Sequence, residues 1–324
     1  MENIINVGEN RLNRLYDRFF KKLFTSNKDV LVDFINDVLL LEGDDVVTDL
    51  ELLPGEMIQP HDGMKLSMLD VSAKLSDGRS VDIEVQIVNR RDFRKRAPYY
   101  WSMRHVTKLQ RGMSYVEAKP TILICLLAFD LLGEEQGYRN VYGICNEKSG
   151  NALCDDMRII YLELPKFRRQ CGEMPRTGLE RWLMYFSNEE GEMMEKVAER
   201  DREISYALDL EKLFLANEAE RERYLYEMRC MMDEISFERT HEILQKQAKE
   251  EGWREGIEMG KKEGIEQGIE RGIEQGIERG IEQARRETAQ NLLAAKVDVV
   301  NVARFTGLPE AEVRALIENV RGER

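Results

Sequence analysis

The chain is poor in the residues that build zinc sites and disulfide frameworks. Its 324 residues hold five cysteines (Cys125, Cys145, Cys154, Cys171, Cys230), an odd number without a CxxC pair, and three scattered histidines (His61, His105, His241). Neither set has zinc-ligand spacing. The opening MENIINVGEN lacks a basic region followed by an apolar stretch, so no signal peptide is expected. The longest apolar run, TILICLLAF (121–129), is too short to span a bilayer and reads as a buried strand. A reducing cytoplasm and no membrane partner are the expectations.

A balance of charge is also lacking. The formal net charge is −13, yet residues 1–187 carry 26 Lys/Arg against 28 Asp/Glu, while residues 188–324 carry 22 against 33. The acidity belongs to the second part, so the whole-chain pI does not exclude nucleic-acid binding by the first.

Residues 11–41 read as helical, with Leu12, Leu15, Phe19, Phe20, Leu23 and Phe24 at three- and four-residue spacing and a break at SNKD. LSMLDVSAKL (66–75) and SVDIEVQIV (80–88) read as strands joined by SDGR, whose Asp-Gly signals a hairpin. The basic, aromatic segment 90–115 reads as helix after Pro98, and strand-like pieces follow at 121–129, 139–145 and 158–164. Hairpin, helix and strand in this order predict an α/β or α+β domain over 1–187. Residues 188–250 have the composition of a charged helical arm.

From Gly252 to Gly280 a glycine recurs every fourth residue, mostly as GIEQ or GIER, so 251–283 form a distinct segment. Each glycine costs a helix about 1 kcal/mol relative to alanine. A partner helix along the slowly winding Gly and Ile stripes would offset that cost, which predicts a homo-oligomer; a solvated tether is the other reading. The last segment, 284–324, has helix-turn-helix spacing around Ala303, Gly307, Pro309 and Val313. Its final helix is acidic, which suits a packing or docking module better than phosphate contact.

In VDIEVQIV Val81, Ile83, Val85 and Ile87 fall on one parity, and Asp82, Glu84 and Gln86 on the other. Pairing through SDGR puts Asp70 on the side of Glu84 and Gln86. Antiparallel polar faces are often only solvated. Two carboxylates on neighbouring strands also suit Mg²⁺ or Mn²⁺, which would assist phosphodiester hydrolysis. Between Val88 and Lys119 lie nine Lys/Arg, among them Arg90, Arg91, Arg94, Lys95, Arg96 and Arg104, against Asp92 and Glu117 alone. That excess suits a polyanion such as DNA, with Tyr99, Tyr100 and Trp101 either stacking on bases or packing on the sheet.

The spacing D-x13-E-x-Q, from Asp70 to Glu84 and Gln86, resembles the PD-(D/E)XK nuclease core in the form where glutamine replaces lysine. DRFFKKLF (17–24), LDVSAKLSDGRSVDIEVQ (69–86), RAPYYWSM (96–103), GMSY, KPTILICLLAF and LELPKF follow the order of the Rpn family, recombination-promoting nucleases grouped with transposases. The glycine tail and closing TGL unit are also frequent there. The resemblance implies a restriction-endonuclease-like core with a mixed sheet flanked by helices, followed by a long helical arm. It implies a DNA endonuclease linked to recombination, transposition or mobile-element defence. Asp70 and Glu84 would be metal ligands, with the main-chain carbonyl of Val85, and Gln86 would stand at the lysine position. Glutamine carries no charge, so such a mechanism leans harder on the metal. The competing expectation is a nuclease fold with degraded chemistry, acting as a nucleic-acid-binding or assembly protein. Asp82 has no assigned role.

Overall fold

The structure is a computed structural model. It describes residues 11–55, 69–108, 112–172, 174–188 and 191–322, with side chains through 316. Residues 66–68 of the expected first hairpin strand, and Arg111 of the basic run, lie outside the described residues.

Two compact units divide the chain, Met1–Ile235 and Ser236–Arg324. In the first, α1 (Asp17–Ser26) and α2 (Lys28–Leu39) meet at Asn27, whose side chain caps α2 by accepting from the Asp29 amide. The six strands are β1 (Leu50–Leu53), β2 (Val71–Leu75), β3 (Ser80–Gln86), β4 (Thr121–Leu127), β5 (Arg139–Tyr142) and β6 (Met157–Glu163). They form one sheet in the order β1-β2-β3-β4-β6-β5. The β3–β4 and β4–β6 pairs are parallel and the others antiparallel, so the sheet is mixed as expected.

The SDGR hairpin forms between β2 and β3, with Gly78 at φ 92°, a left-handed conformation that glycine adopts without steric cost. Val71 lies opposite Ile83 and Ser72 opposite Asp82, so Asp70, one residue ahead of β2, comes level with Glu84. Strand β1 was not expected; its four residues are too few for a clear alternation.

One sheet face, through Val81, Ile83, Val85, Ile122, Ile124 and Leu126, packs into the main core with α1, α2 and α5 (Gly178–Phe186). The other face is covered by α3 (Phe93–Val106), whose Phe93, Ala97 and Met103 pack on Leu123, Cys125, Leu127 and Tyr161. Helix α3 starts five residues before Pro98 rather than after it. The Asp92 carbonyl accepts from the Lys95 and Arg96 amides, so the helix nucleates upstream and carries the proline inside. Between β6 and α5 runs the short α4 (Leu164–Gln170).

The expected boundary at 187 falls within the first unit. Helices α6 (Glu192–Ala198) and α7 (Arg202–Ala216) bury Met194, Val197, Ile204 and Ala207 in the main core. Helix α8 (Glu218–Ala294) begins in this unit, where Tyr224 and Met228 pack with Leu12, Tyr16, Phe19 and Phe214. Composition alone marked 188–250 as a charged arm, yet these apolar positions keep its first part on the fold.

In the second unit the glycine repeat is helical and bare. A Cβ added at any glycine from Gly252 to Gly280 would meet nothing within 4 Å. Ile265, Ile269, Ile273 and Ile277 are all exposed. Helices α9 (Val299–Thr306) and α10 (Glu310–Gly322) close the chain around Ala289, Val302, Leu308 and Val313. Gly307 ends α9 at φ 72°, matching the expected corner. Among the described residues no helix is long and apolar enough to cross a membrane.

Candidate metal centre

The polar face of β3 is not a solvated edge. Strand β3 sits inside the sheet beneath α3, and Asp82 and Glu84 are only 1% and 5% exposed. Burial of carboxylates at this depth requires partners or a bound cation. The two residues meet that requirement differently.

Asp82 is held by Arg104 of α3, whose Nε donates to both carboxylate oxygens at 3.1 and 3.2 Å. The same guanidinium donates to Ser72 Oγ at 2.8 Å and to the Pro54 carbonyl at 3.3 Å. Burial raises the Asp82 pKa, and Arg104 and Ser72 oppose that rise. Arg104 therefore belongs to a buried ion pair and not to the basic surface with which its sequence position grouped it.

Toward the C-terminal end of β3 the pattern changes. Asp70 Oδ2 accepts from the Val85 amide at 2.7 Å, capping the edge of β3 where β2 has stopped. Glu84 Oε1 accepts from Gln86 Nε2 at 2.8 Å, and Gln86 Oε1 accepts from Arg96 at 2.6 Å. Arg96 also pairs with Asp92 at 3.6 Å and lies over the rings of Phe93 and Tyr100, 5.1 and 5.8 Å from their centres. Gln86 thus acts as an uncharged relay between a buried carboxylate and a guanidinium.

Glu84 Oε2 remains, buried and without a hydrogen-bond partner. Desolvation pushes the Glu84 carboxyl up to about 9, with the nearby Asp70 charge adding to the rise and Arg96 and Gln86 opposing it. Asp70 is pushed up to about 7, first by burial and then by a hydrogen bond with Asp17, while the Val85 amide pulls the other way. Crowded, desolvated carboxyls of this kind retain protons until a cation replaces them.

These donors fit a hard divalent cation. Asp70 and Val85 line one cleft, and the orphaned Glu84 oxygen, on the residue before Val85, offers a second carboxylate. In a strand the C=O of a residue points to the same side as its N–H, so the Val85 carbonyl lies on the edge that Asp70 caps. Among the described residues no group of three or more His, Cys, Asp or Glu is disposed to hold a metal. One or two carboxylates, completed by water and substrate phosphate, are a usual complement for Mg²⁺.

The cleft, about 300 Å³, is lined by Asp17, Asp70, Val85, Gln86, Arg90, Arg96 and Tyr100, with Leu15 and Met231. Of the expected basic residues it brings Arg90 and Arg96 to the site. Arg90 donates to Glu234 of α8 at 3.0 Å. Arg94 pairs with Glu134. Arg91, at φ 62°, and Lys95 are exposed nearby.

Sequence reasoning gave no role to Asp17 and Lys21. Lys21 Nζ lies 2.7 Å from Asp17 Oδ1 and 3.6 Å from Asp70 Oδ1. Their four-residue spacing on the polar side of an amphipathic helix was the available signal.

The sequence model of the PD-(D/E)XK nuclease family transposases matches residues 14–240. No curated protein and no solved structure matches the chain.

Proposed function

The chain belongs to the PD-(D/E)XK nuclease family transposases, and on that premise we propose that it is a divalent-metal-dependent DNA endonuclease serving recombination, transposition or mobile-element defence. The observation that carries this reading is Glu84 Oε2, a buried carboxylate oxygen left unpartnered beside a second crowded carboxyl. A purely structural Glu84 would have its second oxygen satisfied, as both oxygens of Asp82 are.

Asp70 and Glu84 would hold Mg²⁺ or Mn²⁺ with the Val85 carbonyl. The ion would supply Lewis acidity toward a phosphoryl oxygen and acidify a neighbouring water. In the hydrolysis, one water adds to phosphorus and gives up a proton, the bond from phosphorus to the leaving deoxyribose oxygen breaks, and that oxygen takes up a proton. The chain's own contribution is positioning and charge. Asp70 is aimed by the Val85 amide, and Glu84 is oriented by Gln86, which Arg96 holds from behind. Arg90 lines the cleft, and Arg91, Arg94 and Lys95 are exposed on the neighbouring segment of chain; these residues would contact the DNA backbone.

The exposed Ile and Gly stripes of α8 support a second copy of this chain as the partner of the repeat. The five free thiols suit a cytoplasmic setting.

Supercoiled plasmid incubated with Mg²⁺, with EDTA, and with Asp70→Ala or Glu84→Ala tests the reading. Cleavage in Mg²⁺ alone is expected, with each variant slower by about a thousandfold or more. Cleavage at full rate by either variant refutes the site. DNA binding without cleavage under every condition identifies a degraded nuclease that only binds.

A further inference from the structure

Strand β3, which carries Glu84 and Val85, has no positive charge of its own. Gln86 stands two residues after Glu84, and its amide is engaged at both ends, toward Glu84 Oε1 and toward Arg96. Arg96 is committed in turn to Gln86 and Asp92, and it lies over the rings of Phe93 and Tyr100. Neither residue brings a mobile cation to a phosphate in the cleft.

Lys21 is placed differently. It enters from α1, a separate element, and its ammonium lies 3.6 Å from Asp70 Oδ1. The other oxygen of Asp70 takes the Val85 amide, so the lysine and the strand edge approach the carboxylate at different atoms. Asp17, one helical turn earlier, holds the ammonium at 2.7 Å and itself lines the cleft. The Lys21 side chain is 34% exposed, so it is reachable by a bound backbone. An ammonium has three donors, and two carboxylates leave it one in reserve.

Packing does not require a lysine here. Helix α1 buries Phe19, Phe20, Leu23 and Phe24 in the core, and Lys21 is not among them. Its neighbour Lys22 stands over the Phe214 ring at 5.5 Å, on another face of the same helix.

Resting on the nuclease reading above, we propose that Lys21 is a catalytic residue, its ammonium contacting a non-bridging oxygen of the scissile phosphate and supplying the charge that Gln86 lacks. Asp17 is the positioning residue that holds it. Lys21 stays protonated throughout; no bond to it forms or breaks, and it compensates charge that builds on the phosphoryl oxygens as water adds and the deoxyribose oxygen leaves. A compact point charge on a flexible stem suits a phosphate whose position shifts during reaction.

The test uses the full chain with Lys21→Met, Lys21→Gln, Lys21→Arg and, as a control, Lys22→Met, each checked for folding by circular dichroism. Single-turnover cleavage of plasmid in Mg²⁺ is compared with Mn²⁺ affinity by calorimetry and with duplex affinity in EDTA. Lys21→Met and Lys21→Gln should lower the rate about a hundredfold or more, and Lys21→Arg should recover about tenfold of that loss. Mn²⁺ affinity should stay level or tighten, since a cation beside Asp70 has been removed. Duplex affinity should change less than about fivefold, and Lys22→Met should match the wild type. Cleavage by a folded Lys21→Met or Lys21→Gln within about threefold of wild type overturns the proposal. So does a loss of Mn²⁺ affinity in step with the rate, because Lys21 would then only order Asp70. A wild-type protein that cuts nothing in any metal overturns the nuclease reading and this proposal with it, a result distinct from failure confined to the Lys21 variants.

Discussion

Replacing Glu84 by glutamine should make the metal-free protein more stable while removing a proposed metal ligand. Glu84 is 5% exposed, and burial followed by the charge of Asp70 raises its carboxyl from 4.5 to about 9. The unfolded chain releases this proton near 4.5, whereas the folded chain holds it to about 9. The folded state therefore binds more protons across that window, and stability falls as pH rises through it. At pH 7 the protein stands about 2.5 pH units into the window, at about 1.4 kcal/mol each, so the carboxyl costs about 3–4 kcal/mol. Glutamine has nearly the same shape, needs no proton, and can still meet Gln86. For a compact unit of this size the gain corresponds to about 6–12 °C in Tm. Thermal melts in EDTA at pH 5, 7 and 8.5 read it directly. The gain should be small at pH 5 and grow toward pH 8.5, and adding Mn²⁺ should stabilise only the wild type. A Glu84→Gln protein no more stable at pH 7, or one whose gain is equal at pH 5 and 8.5, would refute the reasoning.

At the other end of β3 the same kind of substitution should act in the opposite direction. Arg104→Met strands the Asp82 carboxylate, whose side chain is 2% exposed, and should cost about 3–5 kcal/mol in urea denaturation, with Asp82→Asn added to it recovering most of the loss; a loss below about 1 kcal/mol would show the pair to be dispensable. In the repeat, changing Gly264, Gly268, Gly272 and Gly276 to alanine meets no obstruction within the chain itself and should add about 0.5–1 kcal/mol of helix stability per site. If copies of the chain associate through close approach at that stripe, the four methyl groups should also lower the mass seen by light scattering. An unchanged mass with a higher helix melting temperature would leave the repeat as a tether.

The hairpin was legible because two local rules agree there. Alternation fixed which residues share a face, and Asp-Gly fixed the turn, so the register that brings Asp70 level with Glu84 followed without knowledge of the rest. The fully apolar β4 was legible for a related reason, since a strand between two parallel neighbours is covered on both faces. What the sequence withheld depends on long-range packing. Asp82 and Glu84 have the same parity and nearly the same burial, and only the placement of α3 gives one of them Arg104 and leaves the other an orphaned oxygen. Arg104 looked like part of a basic surface because charge counting cannot tell a guanidinium facing a buried carboxylate from one facing solvent. Lys21 was hidden by distance, 49 positions from Asp70 in the chain yet adjacent to it in space.

The start of α8 shows why composition misplaced the end of the first unit, and why the misplacement bears on the site. Its acidic residues recur at Glu220, Glu227 and Glu234, seven apart, which keeps them on one side of a helix. Each has a partner on the fold: Arg18 at 2.6 Å, the Tyr16 hydroxyl at 2.5 Å and Arg90 at 3.0 Å. Between them Tyr224 and Met228 turn inward to the aromatic cluster of Tyr16, Phe19 and Phe214, and Met231 reaches the cleft. Exposed ion pairs of this kind contribute little stability, so the buried aromatic seam holds the helix and the charges set its rotation. That rotation places a carboxylate on Arg90, a residue on the approach suited to a phosphate backbone. A sequence that looks like a solvated acidic arm thus contributes Met231 to the cleft, and two of its acidic residues pair with Arg18 and Arg90 of the nuclease-like domain.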